Sequence, residues 1–153
     1  MENHVDDIKA ILRKLRSSIS EEISKKLNLD KSERVIEKLG PLSSSCEECQ
    51  EQLLELKDSS VQLEANADRI GDSEIKHHKQ LITGIISHLQ KKHQFVTEGF
   101  YLGLYMSIGI SLGVVFGLTI FDNIGLGIPI GMSIGIAIGV GLDADAKKKG
   151  KTI

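Results

Sequence analysis

Residues 125–142 read GLGIPIGMSIGIAIGVGL, and two periods run through them at once. Small residues occupy the odd positions and large apolar ones the even positions, the two-residue period of a strand. Gly127, Gly131, Gly135 and Gly139 also form an unbroken four-residue ladder, the spacing of closely packed helices. The surrounding apolar length decides between the two. Residues 99–121 and 124–142 contain no charged side chain, and at about 1.5 Å rise per residue each run can cross a hydrocarbon core of roughly 30 Å as a helix. A spanning strand needs only about 9–11 residues, and an isolated strand pair would leave backbone N–H and C=O groups unpaired in lipid. The stretch therefore reads as helix.

On a helix turning about 100° per residue the alternation acquires a new meaning. Gly127, Gly131, Gly135 and Gly139 make one small stripe, and Pro129, Ser133, Ala137 and Gly141 make a second on roughly the opposite side. The first span repeats the design, with Gly109, Gly113 and Gly117 in one row and Gly99, Gly103, Ser107 and Ser111 in another. Such rows let helix backbones approach closely. One row per helix closes a hairpin around Asp122-Asn123, a pair suited to a tight turn. The second row predicts contact with further copies, hence a homo-oligomer in the lipid bilayer.

The composition divides along the chain. Residues 1–98 carry 15 Lys/Arg against 18 Asp/Glu, whereas 99–142 hold Asp122 as their one charge and 11 of the 15 glycines. Three segments follow: a helical domain over 1–98, a transmembrane hairpin over 99–142 and a basic tail over 143–153. Lys91 and Lys92 precede the first span, Lys147, Lys148, Lys149 and Lys151 follow the second, and the turn has no cation. The positive-inside rule then expects a cell-membrane protein with two spans and both termini in the cytoplasm. The acidic start lacks an apolar signal region, and neither charge nor aromatic content favours nucleic acid.

Residues 99–149, with GxxxGxxxG in both spans and Asp-Ala-Asp-Ala-Lys-Lys-Lys after them, resemble the glycine-zipper hairpins of small bacterial membrane proteins, many from Gram-positive species. The resemblance covers about a third of the chain and implies an oligomer-forming membrane anchor. It implies no particular activity.

Residues 1–98 show helical periodicity throughout and no strand pattern, so the whole chain is expected to be all-α. Val5, Ile8, Leu12, Leu15 and Ile19 predict an amphipathic helix over 4–27. Asp30-Lys-Ser-Glu33 has capping-box spacing before a short helix that Gly40-Pro41 should end. Ser45-Cys-Glu-Glu48 is a second box, opening a helix to about residue 63. Asp72 should cap a long helix that continues nearly unbroken into the first span. About four helices result.

One constellation here can carry chemistry. Cys46 and Cys49 have CxxC spacing and His88 and His93 have HxxxxH spacing, both within the ranges of tetrahedral zinc sites. If the helices of 45–63 and 73–97 pair antiparallel, turning near Arg69, Cys49 comes opposite His88 and Cys46 lies near Lys91 and Lys92, one turn from His93. The first helical turn would also favour thiolate at the cysteines. The alternative is that the cysteines are small packing residues and the histidines surface groups, with His77 and His78 as substitute ligands. His4 is expected to be exposed, and Lys25, Lys26, Lys31 and Arg34, interleaved with acids, to form a solvated face.

No phosphate-cradling loop or nucleophile-elbow motif is present, so a non-enzymatic protein is expected. Three functions fit: a self-associating membrane protein whose helical domain recruits a cytoplasmic partner or senses a signal, an oligomeric pore or membrane-disrupting effector, and a zinc- or redox-responsive regulator.

Overall fold

The computed structural model describes residues 2–153, with side chains from His4 onward. Its elements are α1 (Glu2–Ser18), α2 (Glu21–Leu27), α3 (Leu29–Leu42), α4 (Glu47–Ala65), a 3₁₀ turn (Ala67–Arg69), α5 (Asp72–His93), α6 (Phe100–Thr119) and α7 (Ile124–Lys148). No extended strand occurs among the described residues, so the chain is all-α. It divides into two compact units, Met1–His93 with Ile153, and Gln94–Thr152.

In the first unit the apolar stripes meet in one core. Ile8, Leu12 and Leu15 of α1, Val35, Ile36 and Leu39 of α3, and Leu56 of α4 are fully buried. Their three- and four-residue spacing puts each set on one helical face. α1 packs on α3 and α4, and α5 packs on α2, α3 and α4. Surface ion pairs join Lys9 to Glu37 at 2.8 Å, Lys57 to Asp7 at 2.9 Å, and Lys14 to Glu64. Lys25 and Lys26 pair with Glu21 and Glu22 one turn away, on the solvated face the sequence indicates.

Several boundaries differ from the sequence expectation, each for a local reason. The helix expected over 4–27 breaks where Ser20 caps α2, its hydroxyl accepting from the Ile23 N–H at 3.4 Å. Asn28, at φ +54°, closes α2 and opens α3, so Asp30 lies inside the first turn and binds Arg16 instead of capping. Gly40-Pro41 does not end α3, which runs to Leu42. A residue before proline avoids the helical region because its N–H and Cβ meet the proline ring, and glycine, without a Cβ, relieves part of that clash. Val5 packs against that bare backbone, where a Cβ on Gly40 would fall 2.4 Å from its Cγ2. The cap of α4 is Cys46, while the Ser45 hydroxyl donates back to the Leu42 carbonyl. Asp72 starts α5 without capping it, and the Gly71 N–H is taken by the Glu74 carboxylate at 3.1 Å. α5 stops at His93, and Gln94 at φ +57° and Gly99 at φ +76° separate it from α6. His4 is half-buried, with Nδ1 3.3 Å from the Lys57 ammonium.

His78 of α5 is fully buried, with Nε2 3.0 Å from the Ser32 hydroxyl and Nδ1 without a hydrogen-bond partner. Burial, reinforced by the neighbouring His77, lowers its pKa from 6.5 to about 4. The unfolded chain therefore takes up this proton first. The contribution is fully present above about pH 6.5 and is lost as pH falls toward 4, amounting to about 3 kcal/mol over that window. A His78→Gln variant should show a correspondingly flatter stability–pH curve between pH 6.5 and 4 in chemical denaturation. An unchanged curve would remove His78 from the account.

Candidate metal centre and glycine interface

α4 begins and α5 ends at the same place, because the short 3₁₀ turn folds the two helices antiparallel. Cys46 precedes the first turn of α4 and Cys49 lies within it, while His88 and His93 occupy the last turns of α5. Their four donor atoms all lie within 4.8 Å of one another. Cys46 Sγ is 3.4 Å from His88 Nε2, and Cys49 Sγ is 3.3 Å from His93 Nε2. These pairs differ from the sequence expectation, which set Cys49 opposite His88. Cys46, extended at φ −136° and ψ 113°, is not yet on the helical path, so its side chain is not placed by α4's register.

The spacing suits a tetrahedral ion. Bond lengths of about 2.3 Å to sulfur and 2.0–2.1 Å to nitrogen place a sulfur and a nitrogen ligand about 3.5 Å apart. Cys49 and His88 are buried, and Cys46 and His93 are half-buried. His88 turns its other nitrogen, Nδ1, to Glu48 Oε1 at 3.0 Å, and its ring lies 5.3 Å from that of His93 at 67°. Cys49 does not become the thiolate expected at a helix start. Burial, then hydrogen bonding and charge at Cys46 and the Glu48 charge, push the Cys49 thiol up to about 12. Desolvation outweighs the helix end, and a thiolate at Cys49 needs a compensating cation. Cys49 itself is thus not a low-pKa thiol. His78 binds Ser32 and takes no part in the cluster.

The second unit is a helical hairpin. α7 continues through 143–148, so most of the basic tail is helical, because Ala, Asp and Lys extend the last turns without a break. Gly127, Gly131, Gly135 and Gly139 are buried against α6, and Gly109, Gly113 and Gly117 against α7. A Cβ at Gly131 would fall 2.1 Å from the Gly109 carbonyl oxygen, at Gly127 2.1 Å from that of Gly113, and at Gly135 2.3 Å from that of Tyr105. Gly139 faces the Leu102 backbone in the same way. Backbone meets backbone along the whole seam.

Asn123 starts α7 by accepting the Gly125 N–H at 2.9 Å, with Asp122 at φ +46° making the turn. At the opposite end Asp143 of α7 accepts the Tyr101 N–H at 3.1 Å and the Leu102 N–H at 3.0 Å. Gly99 offers no side-chain cap, so Asp143 satisfies the first-turn donors of α6 from the neighbouring helix. Asp143→Ala should lower hairpin stability by about 0.5–2 kcal/mol, the range of a lost cap. Thermal unfolding in detergent reads it, and an unchanged midpoint would contradict it.

Both helices are long and apolar enough to span a membrane, yet only 17% and 22% of their apolar windows are buried. A core helix of a soluble protein would be largely covered. Residues 97–145 match the family model described as a glycine zipper membrane protein. The match covers about a third of the chain and falls on the hairpin. No curated protein and no solved structure matches the chain. The hairpin thus has membrane character from two sides, its exposed apolar surface and its match to that family model. Outside the seam, Gly103, Ser107 and Ser111 of α6 and Pro129, Ser133, Ala137 and Gly141 of α7 are exposed. The Ser107, Ser111, Thr119 and Ser133 hydroxyls each donate to the carbonyl four residues back, at 2.7–2.9 Å.

The sequence pattern pointed to the candidate metal ligands and the seam glycines. It did not single out Glu48 for His88, Asp143 for α6, or the buried His78–Ser32 pair. Each is a tertiary contact with no local periodicity to betray it.

Proposed function

We propose that this chain is a non-enzymatic, two-span protein of the cell membrane whose helical domain is held by a structural zinc ion. The observation that carries the reading is the convergence of Cys46, Cys49, His88 and His93 within 4.8 Å. Two thiolates and two imidazoles suit zinc, and four protein ligands leave no open position for catalysis. Zinc would join the start of α4 to the end of α5 and supply the positive charge the Cys49 thiolate needs. The domain then serves as a metal-dependent platform for a cytoplasmic protein partner, with both termini inside as the lysines around the spans favour. Elemental analysis of full-length protein purified in detergent without chelators tests this. About one zinc per chain, lost in Cys46→Ser and Cys49→Ser, is expected; wild-type protein without stoichiometric metal would end the reading.

Self-association is a second reading with its own support. The seam glycines are consumed in closing the hairpin, whereas a Cβ on Gly103 or Gly141 meets nothing within 4 Å. The outward rows are open to another copy, by close helix packing. Cross-linking in native membranes should give an oligomer that Ser107→Leu with Ala137→Leu weakens while the hairpin survives. A wild-type chain that stays monomeric contradicts it. The in-span hydroxyls bonded to their own helices support anchoring over a hydrated pore, and planar bilayers without conductance are the matching expectation.

A further inference from the structure

We infer that Glu48 is the positioning residue of the metal centre, fixing His88 in the tautomer that directs Nε2 at the ion. The inference rests on the zinc-binding reading and adds a group outside the four donor residues. A histidine has two nitrogens, and a ligand nitrogen must present a lone pair while the other carries the proton. His88 Nδ1 lies 3.0 Å from Glu48 Oε1, and Nε2 lies 3.4 Å from Cys46 Sγ, inside the cluster. A carboxylate only accepts hydrogen bonds, so the Nδ1 proton is placed there and the Nε2 lone pair is left facing the sulfur pair.

Three features make this more than a surface contact. The His88 side chain is only 4% exposed, so bulk water has little access to its ring. Glu48 stands directly before Cys49 in the first turn of α4, so the backbone that places the thiol also places the carboxylate. The contact joins α4 to α5 across the same seam the four ligands bridge. Carboxylate–histidine–zinc arrangements orient the ring and raise its basicity, and their loss weakens metal binding by about 10–100-fold. Glu47 and Glu51 are exposed acids of the same turns and provide the control for charge alone.

The test is zinc affinity of the full-length protein in detergent, by competition with a chromophoric chelator. Glu48→Ala should bind zinc about 10–100-fold more weakly than wild type. Glu48→Gln, which keeps an acceptor without the charge, should fall between them, and Glu51→Ala should match wild type. Cobalt-substituted Glu48→Ala should retain the visible bands of a two-sulfur, two-nitrogen site, showing weaker binding without a lost ligand. Nitrogen-15 spectra of the zinc-bound wild type should report His88 protonated at Nδ1. Wild-type zinc binding with Glu48→Ala within twofold of it, or with His88 protonated at Nε2, overturns the role of Glu48 and leaves the zinc reading standing. Absence of zinc binding by wild type overturns both.

Discussion

Gly131→Ala is expected to open the hairpin. The added methyl carbon would lie 2.1 Å from the Gly109 carbonyl oxygen, 2.7 Å from the Gly113 Cα and 2.8 Å from the Gly113 nitrogen. All three are backbone atoms of α6, so no side chain can swing aside and the helices must separate. Separation along one turn also loosens Gly127 and Gly135, where an added Cβ would fall 2.1 Å from the Gly113 and 2.3 Å from the Tyr105 carbonyl oxygen. Overpacking of a tight interface costs about 1–3 kcal/mol and more where the backbone must shift, and this seam has nothing but backbone. In lipid no hydrophobic force between the helices opposes the separation. Gly141→Ala supplies the comparison, since its Cβ meets nothing within 4 Å. Thermal unfolding in detergent should show a large fall for Gly131→Ala and none for Gly141→Ala. Equal behaviour of the two would contradict the seam. The same geometry means that substitutions at Gly131 or Gly135 report first on hairpin closure, so self-association is better probed from the outward rows.

Cys49→Ser is expected to remove the metal and lower the melting temperature of the helical domain. The first unit has its own apolar core from α1, α3, α4 and α5, so it is not expected to unfold outright as a zinc finger does. What it loses is the tie between the start of α4 and the end of α5. At a free zinc concentration a hundred times the dissociation constant, binding to the folded state alone adds about 2.7 kcal/mol. For a domain of this size that corresponds to about 10–20 °C. Chelator should bring wild type down to the level of Cys49→Ser, and Cys49→Ser should be indifferent to chelator. A wild-type melting temperature unmoved by chelator would exclude a stabilising metal.

The two most informative patterns in the sequence were those with a physical period. Four-residue glycine spacing within uncharged runs makes a membrane helix and identifies which glycines share a face. CxxC and HxxxxH spacings combine with an antiparallel helix pair to bring four donors to one end of it. Contacts that depend on tertiary placement left no such mark. Glu48 looks like an ordinary acid of a helix first turn, and Asp143 like part of a charged tail, until the neighbouring helix shows what each accepts. Stop signals misled where glycine altered their meaning: Gly40 lets Pro41 stay inside α3, while Gln94, without a distinctive side chain, turns the backbone at φ +57°.

The most direct test of the account is X-ray absorption at the zinc edge on the full-length protein in detergent. Two sulfur neighbours at about 2.3 Å and two nitrogen neighbours at about 2.0–2.1 Å are expected. A shell of oxygen and nitrogen alone, or a metal content far below one per chain, would contradict a Cys46, Cys49, His88 and His93 centre.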